Sequence, residues 1–353
     1  MKEVLILGGT GAMGVHLVRI LAERGDKVSV TTRYPRQSSA NIEYVQGNAK
    51  EDSFLVPLLS RKWDAIVDFM VYTTSVFEQR APKFLGATDQ YIFLSSARVY
   101  ANSSPLISEE SSRLLDSSED AKFLATDEYS LAKARQENTL HKSGSKRWTI
   151  IRPYITYSEQ RLQLGALEKE GWLYRALKGR TIVFSEDIVS KLTTLTYGLD
   201  VAGAMAAIIG EPRAMGEAYH ITQREAATWR QVLNVYLAAL ERHLGKRPKV
   251  LLLGLDDFSR CKSAEYQIKY DRLFNRAFNS SKISEFVDLQ EFRSLEQGLT
   301  RCLNEFLEKP DFLAIDWRSE ATKDRFSGEM ASLKEIGHWK QKIKYVLYRF
   351  FKN

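Results

Sequence analysis

Three groups of side chains have the types and the spacing for chemistry. The first is Gly8-Gly9-Thr10-Gly11-Ala12-Met13-Gly14. It follows the apolar run Val4–Leu7 and opens a stretch with Val15, Leu17, Val18 and Leu21 at helical spacing. A strand that turns sharply into a helix, with backbone close to a diphosphate, needs positions without a Cβ. The helix start then offers free N–H groups and a positive dipole end to the anion. A glycine-rich turn without a ligand is the bland alternative; strand before and helix after favour a dinucleotide cradle. Gly8, Thr10, Gly11, Ala12, Met13 and Gly14 are its expected lining.

The second group is Tyr129-Ser130-Leu131-Ala132-Lys133. Tyr and Lys at i and i+4 share a helix face, and a nearby ammonium favours phenolate. That suits a general acid/base acting between a carbinol and a carbonyl. The third is Ser95-Ser96, closing the apolar run Tyr91–Leu94. A hydroxyl at the carboxyl end of a parallel strand borders the ligand crevice and can stabilise charge on a substrate oxygen. Each alone has a bland reading, an exposed helix turn or a turn serine; their joint order and spacing carry the argument. Ser96, Tyr129 and Lys133 are the candidate catalytic residues.

The second apolar run ends Val30-Thr31-Thr32-Arg33-Tyr34-Pro35-Arg36. NAD sites usually place an acid there for the ribose 2′-hydroxyl. None is present, and Arg33 and Arg36 can hold a 2′-phosphate, which favours NADP over NAD. Two solvated loop arginines are the alternative.

The elements that must position these groups follow from the pattern. Strand-like runs at Val4–Leu7, Val28–Thr31, Ile42–Val45, Ala65–Met70, Tyr91–Leu94 and Trp148–Ile151 alternate with helical stretches such as Met13–Arg24 and Tyr129–His141. This predicts an α/β doubly wound parallel sheet, the Rossmann arrangement, over residues 1–155. Residues 156–325 are expected to form a smaller α/β substrate lobe, with some segments returning to the first domain. Helices are expected at Leu162–Gly179 and Thr228–Gly245, strands at Arg180–Phe184 and Ala218–Thr222, and Asp200 as the N-cap of a helix over Val201–Ile209. Residues 326–353 read as a basic amphipathic helix with Ile336, Trp339, Ile343, Val346 and Phe350 on one face. Packing of that face on the substrate lobe is the favoured reading; weak contact with an anionic membrane surface is the other.

The chain has 353 residues and a net charge of +7. Positions 331–353 hold six basic residues against Glu335 alone, so the remainder is close to neutral and gives no case for nucleic-acid binding. Cys261 and Cys302 form no metal-ligand cluster, the histidines show no HExxH spacing, and no Gly-x-Ser-x-Gly elbow occurs. The two cysteines and the absence of a signal-peptide pattern point to the cytoplasm.

Together these residues resemble the extended short-chain dehydrogenase/reductase superfamily, in its NAD(P)-dependent nucleotide-sugar epimerase/dehydratase branch, over roughly residues 1 to 310. The resemblance implies pyrophosphate binding at Gly8, Gly11 and Gly14, a substrate-orienting role for Ser96, Tyr129 as acid/base, and Lys133 as its partner and a nicotinamide-ribose contact. It also implies that Arg152-Pro153 closes the cofactor lobe. Where the family usually has Gly-Asp beside the adenine, this chain has Gly47-Asn48, and Asn48 is the expected contact. The 4,6-dehydratases carry Asp-Glu before the Val-Tyr pair; here those places hold Ala97 and Arg98, so epimerase or 4-ketoreductase chemistry remains. A nucleotide-sugar substrate, a surface-polysaccharide pathway and a homodimer are further implications. Arg161, Gln163, Lys191 and Tyr197 are candidates for diphosphate or sugar contacts. A non-catalytic dinucleotide-binding scaffold or regulator of the same fold is the competing hypothesis.

Overall fold

The computed structural model describes residues 1–351 apart from Pro105; Lys352, one of the basic residues counted above, lies outside the described residues. The longer helices in the first half are α1 (Gly14–Glu23), α2 (Thr74–Ala87) and α3 (Tyr129–His141). In the second half they are α4 (Lys169–Leu177), α5 (Gly198–Ile208), α6 (Trp229–Leu244), α7 (Leu295–Glu308), α8 (Trp317–Ser327) and α9 (Trp339–Phe350).

The chain divides into two compact units. The first comprises Met1–Ser158, Thr194–Glu225 and Ala277–Arg293. Its centre is a seven-stranded sheet of β1 (Glu3–Leu7), β2 (Lys27–Thr32), β3 (Ile42–Gln46), β4 (Trp63–Asp68), β5 (Thr88–Leu94), β6 (Trp148–Pro153) and β7 (Glu217–Ile221). The order is β7-β6-β5-β4-β1-β2-β3 and every pairing is parallel. Sheets of this kind are covered on both faces, so central strands are apolar at every position. Val4, Leu5, Ile6 and Leu7 are accordingly all fully buried. Alternate side chains then divide the core: Val4 and Ile6 join α1 and α5, while Leu5 and Leu7 join α2 and the rings of Tyr91 and Phe93. The doubly wound parallel sheet read from the sequence is present. The run predicted as Ala65–Met70 pairs as Trp63–Asp68, because the Met70 N–H turns back onto the Asp68 carboxylate (2.9 Å). The run at Ala218–Thr222 forms β7 beside β6, so the chain returns to this sheet after residue 158.

The second unit comprises Glu159–Thr193, Ala226–Arg276 and the chain from Ser294 onward. A parallel pair, Ile182–Ser185 with Val250–Leu253, sits among α4, α6, α7, α8 and α9. Helix α6 starts on a capping box of Thr228 and Gln231 and ends at Gly245 in the left-handed region. The helix expected over Leu162–Gly179 is shorter, Lys169–Leu177, because a bridge between Leu164 and Leu167 around Gly165 (φ +57°) bends the chain before it. Residues after 326 are built into this unit by a buried ionic cluster. Arg175 of α4 donates to Glu320 (3.0 Å) and Asp324 (2.7 Å) of α8, and the Tyr345 hydroxyl of α9 donates to Asp324 (2.5 Å). Helix α9 therefore turns Tyr345 inward with Val346 and Tyr348 beside it, while Trp339, Ile343 and Phe350 are exposed. The expected packing of those three residues does not occur; the buried polar anchor sets the rotation of the helix.

Candidate active site

The site belongs to the first unit and is built at the carboxyl ends of its strands. The chain leaves β1 at Gly8, whose φ of +72° favours glycine, and the Gly8 N–H donates to the Thr31 hydroxyl of β2 (3.0 Å). Gly14, the first residue of α1, lies against the Gly9 backbone, where a Cβ would come within 2.6 Å. Gly11 differs: a Cβ there would meet nothing within 4 Å, and Thr10 and Gly11 are exposed. Two glycines thus shape the turn and the third leaves its outer side open. No side chain caps α1 at Met13, and its first turn holds no acid. The turn fits the diphosphate of a dinucleotide in space and in charge.

Arg33 and Arg36 lie on the exposed loop after β2, with their guanidinium groups 5.9 and 5.8 Å from the Tyr34 and Tyr44 ring centres. Asn48 follows β3, but its side chain is engaged in its own turn. Its amide donates to Glu51 (2.9 Å) and its carbonyl oxygen accepts from the Lys50 N–H (3.1 Å). Adenine would have to displace those contacts.

Two strands from β1, β5 ends at Leu94 and the serine pair follows. Ser95 donates to Glu137 of α3 (2.5 Å) and serves as a brace. The Ser96 oxygen accepts the Arg98 N–H (3.2 Å), the Arg98 guanidinium pairs with Glu128 (2.6 Å), and it lies 5.2 Å from the Tyr129 ring centre. Glu128 also caps α3 through the Ser130 N–H (2.7 Å), which fixes half-buried Tyr129 as the first helical residue. One turn on, the Lys133 ammonium donates to the Leu94 carbonyl (2.6 Å). Lys133 and Ser96 thus both lie at the end of β5, and Tyr129, one turn before Lys133 on α3, faces the Arg98 guanidinium. Ala97 is buried and Arg98 is paired, so the Ala97–Arg98 positions offer no carboxyl group.

Charge around Lys133 is finely balanced. Burial pulls its pKa down to about 8, against the opposing pull of Asp68 and Glu137. Burial pushes Asp68, at the end of β4, up to about 6, although it accepts from the Tyr91 hydroxyl (2.7 Å) and the Met70 N–H. Burial alone would raise Glu137; Arg152, Ser95 and Arg113 hold it below the usual carboxylate range. Arg152 forms two bonds to Glu137 (both 2.8 Å) and one to the Tyr100 hydroxyl (3.0 Å), tying β6 to α3. Sequence reasoning missed Glu137, Asp68 and Glu128. Glu137 had a signal, since Tyr129, Lys133 and Glu137 continue one helix face at steps of four. Asp68 had none, because its role depends on strand adjacency.

Asp200 lies inside α5, which begins at Gly198, and accepts from the backbone and guanidinium of Arg293 (both 2.9 Å), so it does not cap the helix. Tyr197 stacks on Tyr157 and touches His16 edge-on. In the second unit Arg161 and Gln163 both donate to Glu168. Among the described residues no group of three His, Cys, Asp or Glu could hold a metal ion.

Fold and site together define a parallel α/β dinucleotide-binding protein with a tyrosine–lysine helix at its crevice. Residues 4–222 match the NAD dependent epimerase/dehydratase family, and the chain belongs to it. It is 29% identical over 249 residues to the chloroplast stem-loop binding protein of 41 kDa b of Arabidopsis thaliana, spanning 65% of this chain and 60% of that protein. It is 24% identical over 249 residues to the 2'-dehydrokanamycin reductase of Streptomyces kanamyceticus, spanning 68% of this chain and 67% of that one. The UDP-glucuronic acid 4-epimerase of Bacillus cereus, solved with UDP-glucuronic acid and NAD, superposes with a TM-score of 0.65 at 16% identity, over 86% of this chain and 99% of that one.

Proposed function

We propose that the protein is a nicotinamide-dependent epimerase or 4-ketoreductase acting on a nucleotide-activated sugar. The observation that carries this reading is the shared strand-end edge that holds both an open-sided glycine turn and the Ser96–Tyr129–Lys133 group. A bound nicotinamide supplies hydride acceptance or return at a sugar carbon. The chain's own residues handle the rest. Tyr129 takes or gives the proton of the carbinol, the Lys133 ammonium lowers the energy of its phenolate, and the Ser96 hydroxyl holds the substrate oxygen. Similarity to the 2'-dehydrokanamycin reductase supports a reductase reading. The UDP-glucuronic acid bound in the Bacillus epimerase supports a nucleotide-sugar substrate. Ala97 and Arg98 leave 4,6-elimination without its carboxyl groups. A role in surface-polysaccharide precursor synthesis follows from that substrate class.

NADP is the favoured cofactor, because β2 ends without an acid and with Arg33 and Arg36 exposed. Gly8, Thr10, Gly11, Ala12, Met13 and Gly14 would hold the diphosphate, Lys133 the nicotinamide ribose, and Asn48 the adenine after releasing Glu51. A homodimer is the oligomeric state that the family resemblance implies. The cytoplasm is the proposed compartment; no helix of the described residues is long and apolar enough to cross a membrane.

A second reading, a non-catalytic dinucleotide-binding protein, draws on the stem-loop binding relative. The deciding experiment identifies the cofactor released from purified protein and then screens UDP-, GDP-, CDP- and dTDP-sugars with wild type and Tyr129→Phe. Turnover lost by the variant, with cofactor still bound, supports catalysis. Unchanged biological activity of the variant supports the second reading.

A further inference from the structure

The last helix presents an apolar row to solvent. Trp339, Ile343 and Leu347 recur every four residues on α9, and Phe350 and Phe351 continue the row. Their exposures are 61, 52, 40, 54 and 77%. Monomeric surfaces seldom gather large apolar side chains this way without a binding role. The opposite face is anchored: the Tyr345 hydroxyl donates to Asp324 and accepts the Ala331 N–H (2.7 Å). The exposed row is therefore held outward by buried hydrogen bonds.

Charge identifies what covers it. Helix α9 carries Lys340, Lys342, Lys344 and Arg349 and no acidic residue. Lys340 and Arg349 lie along the rings of Trp339 and Phe350, at 5.7 and 4.9 Å, with stems beside apolar surface and charge at its border. Aromatic rings bordered by cations of one sign match the boundary between lipid headgroups and acyl chains. At 12 residues the helix is about 18 Å long, too short to span a bilayer. We infer that α9 is a docking surface for an anionic lipid bilayer. It lies in the plane of the interface with Trp339, Ile343, Leu347 and Phe350 inserted and with Lys340 and Lys344 at the phosphates, while Arg349 donates to the Glu329 carbonyl (2.8 Å). The inference is independent of the proposed catalysis.

Truncation would test it badly, because removing Tyr345 unmakes the Asp324 cluster. The full chain is instead floated with vesicles of phosphatidylcholine alone and of equimolar phosphatidylcholine and phosphatidylglycerol. A Trp339→Ser/Ile343→Ser/Leu347→Ser variant is run beside wild type. Wild type is expected to float with the anionic vesicles only and to be released by high salt. The variant is expected to lose about tenfold in bound fraction while unfolding at the wild-type temperature, since its altered side chains are exposed. Absence of flotation, equal flotation on neutral lipid, or an unaffected variant overturns the proposal. So does a wild-type dimer that the variant abolishes in vesicle-free solution, since a second copy would then cover the row.

Discussion

At the scale of single residues, the role proposed for the Lys133 ammonium, favouring a Tyr129 phenolate, can be tested by pH. Burial brings the Lys133 pKa to about 8, so the cation that favours phenolate is present below that pH and is lost above it. Turnover is expected to fall as pH rises through about 8. Asp68 supports the cation electrostatically, so Asp68→Asn should move the alkaline limb to lower pH. A pH profile of kcat/KM for both proteins checks this; a limb that stays in place would assign it to another group. Glu137 has a different part. It offsets Arg152 in a fully buried pair, and removing one partner of such a pair is costly. Glu137→Gln should lower stability by about 3 kcal/mol, read as a lower midpoint in urea.

At the scale of elements, the glycine turn separates shape from binding. Gly14→Ala drives a Cβ into the Gly9 backbone, so the variant should lose stability as well as dinucleotide affinity. Gly11→Ala meets no protein atom within 4 Å, so it should keep the wild-type unfolding temperature and still bind dinucleotide more weakly by about tenfold or more. Thermal unfolding and a dinucleotide titration, run on both variants, separate the two effects. The turn was legible because its requirement is local: a strand, a Cβ-free bend and a helix occupy consecutive residues. Tyr129–His141 was legible as a helix for the same reason. Leu162–Gly179 was not, because the bridge at Leu164 and Leu167 shortens an otherwise helical pattern. The rotation of α9 was equally hidden, since the Asp324 cluster that sets it joins residues far apart in sequence.

At the scale of the whole molecule, local pattern identified the parallel sheet, and long-range return of the chain was the harder part. β7 pairs with β6 across more than sixty residues, and Ala277–Arg293 rejoins the same unit. The candidate site was legible as three separate motifs; what joins them is adjacency in the sheet. The proposed function requires that the turn after β1 cup a nicotinamide dinucleotide used by Tyr129. Calorimetric titration of wild type, Tyr129→Phe and Gly11→Ala with NADPH, then with NADH, tests it most directly. Saturable binding to wild type and Tyr129→Phe, tighter for NADPH and sharply weakened by Gly11→Ala, is the predicted result. No binding of either dinucleotide to wild type, or undiminished binding to Gly11→Ala, would contradict it.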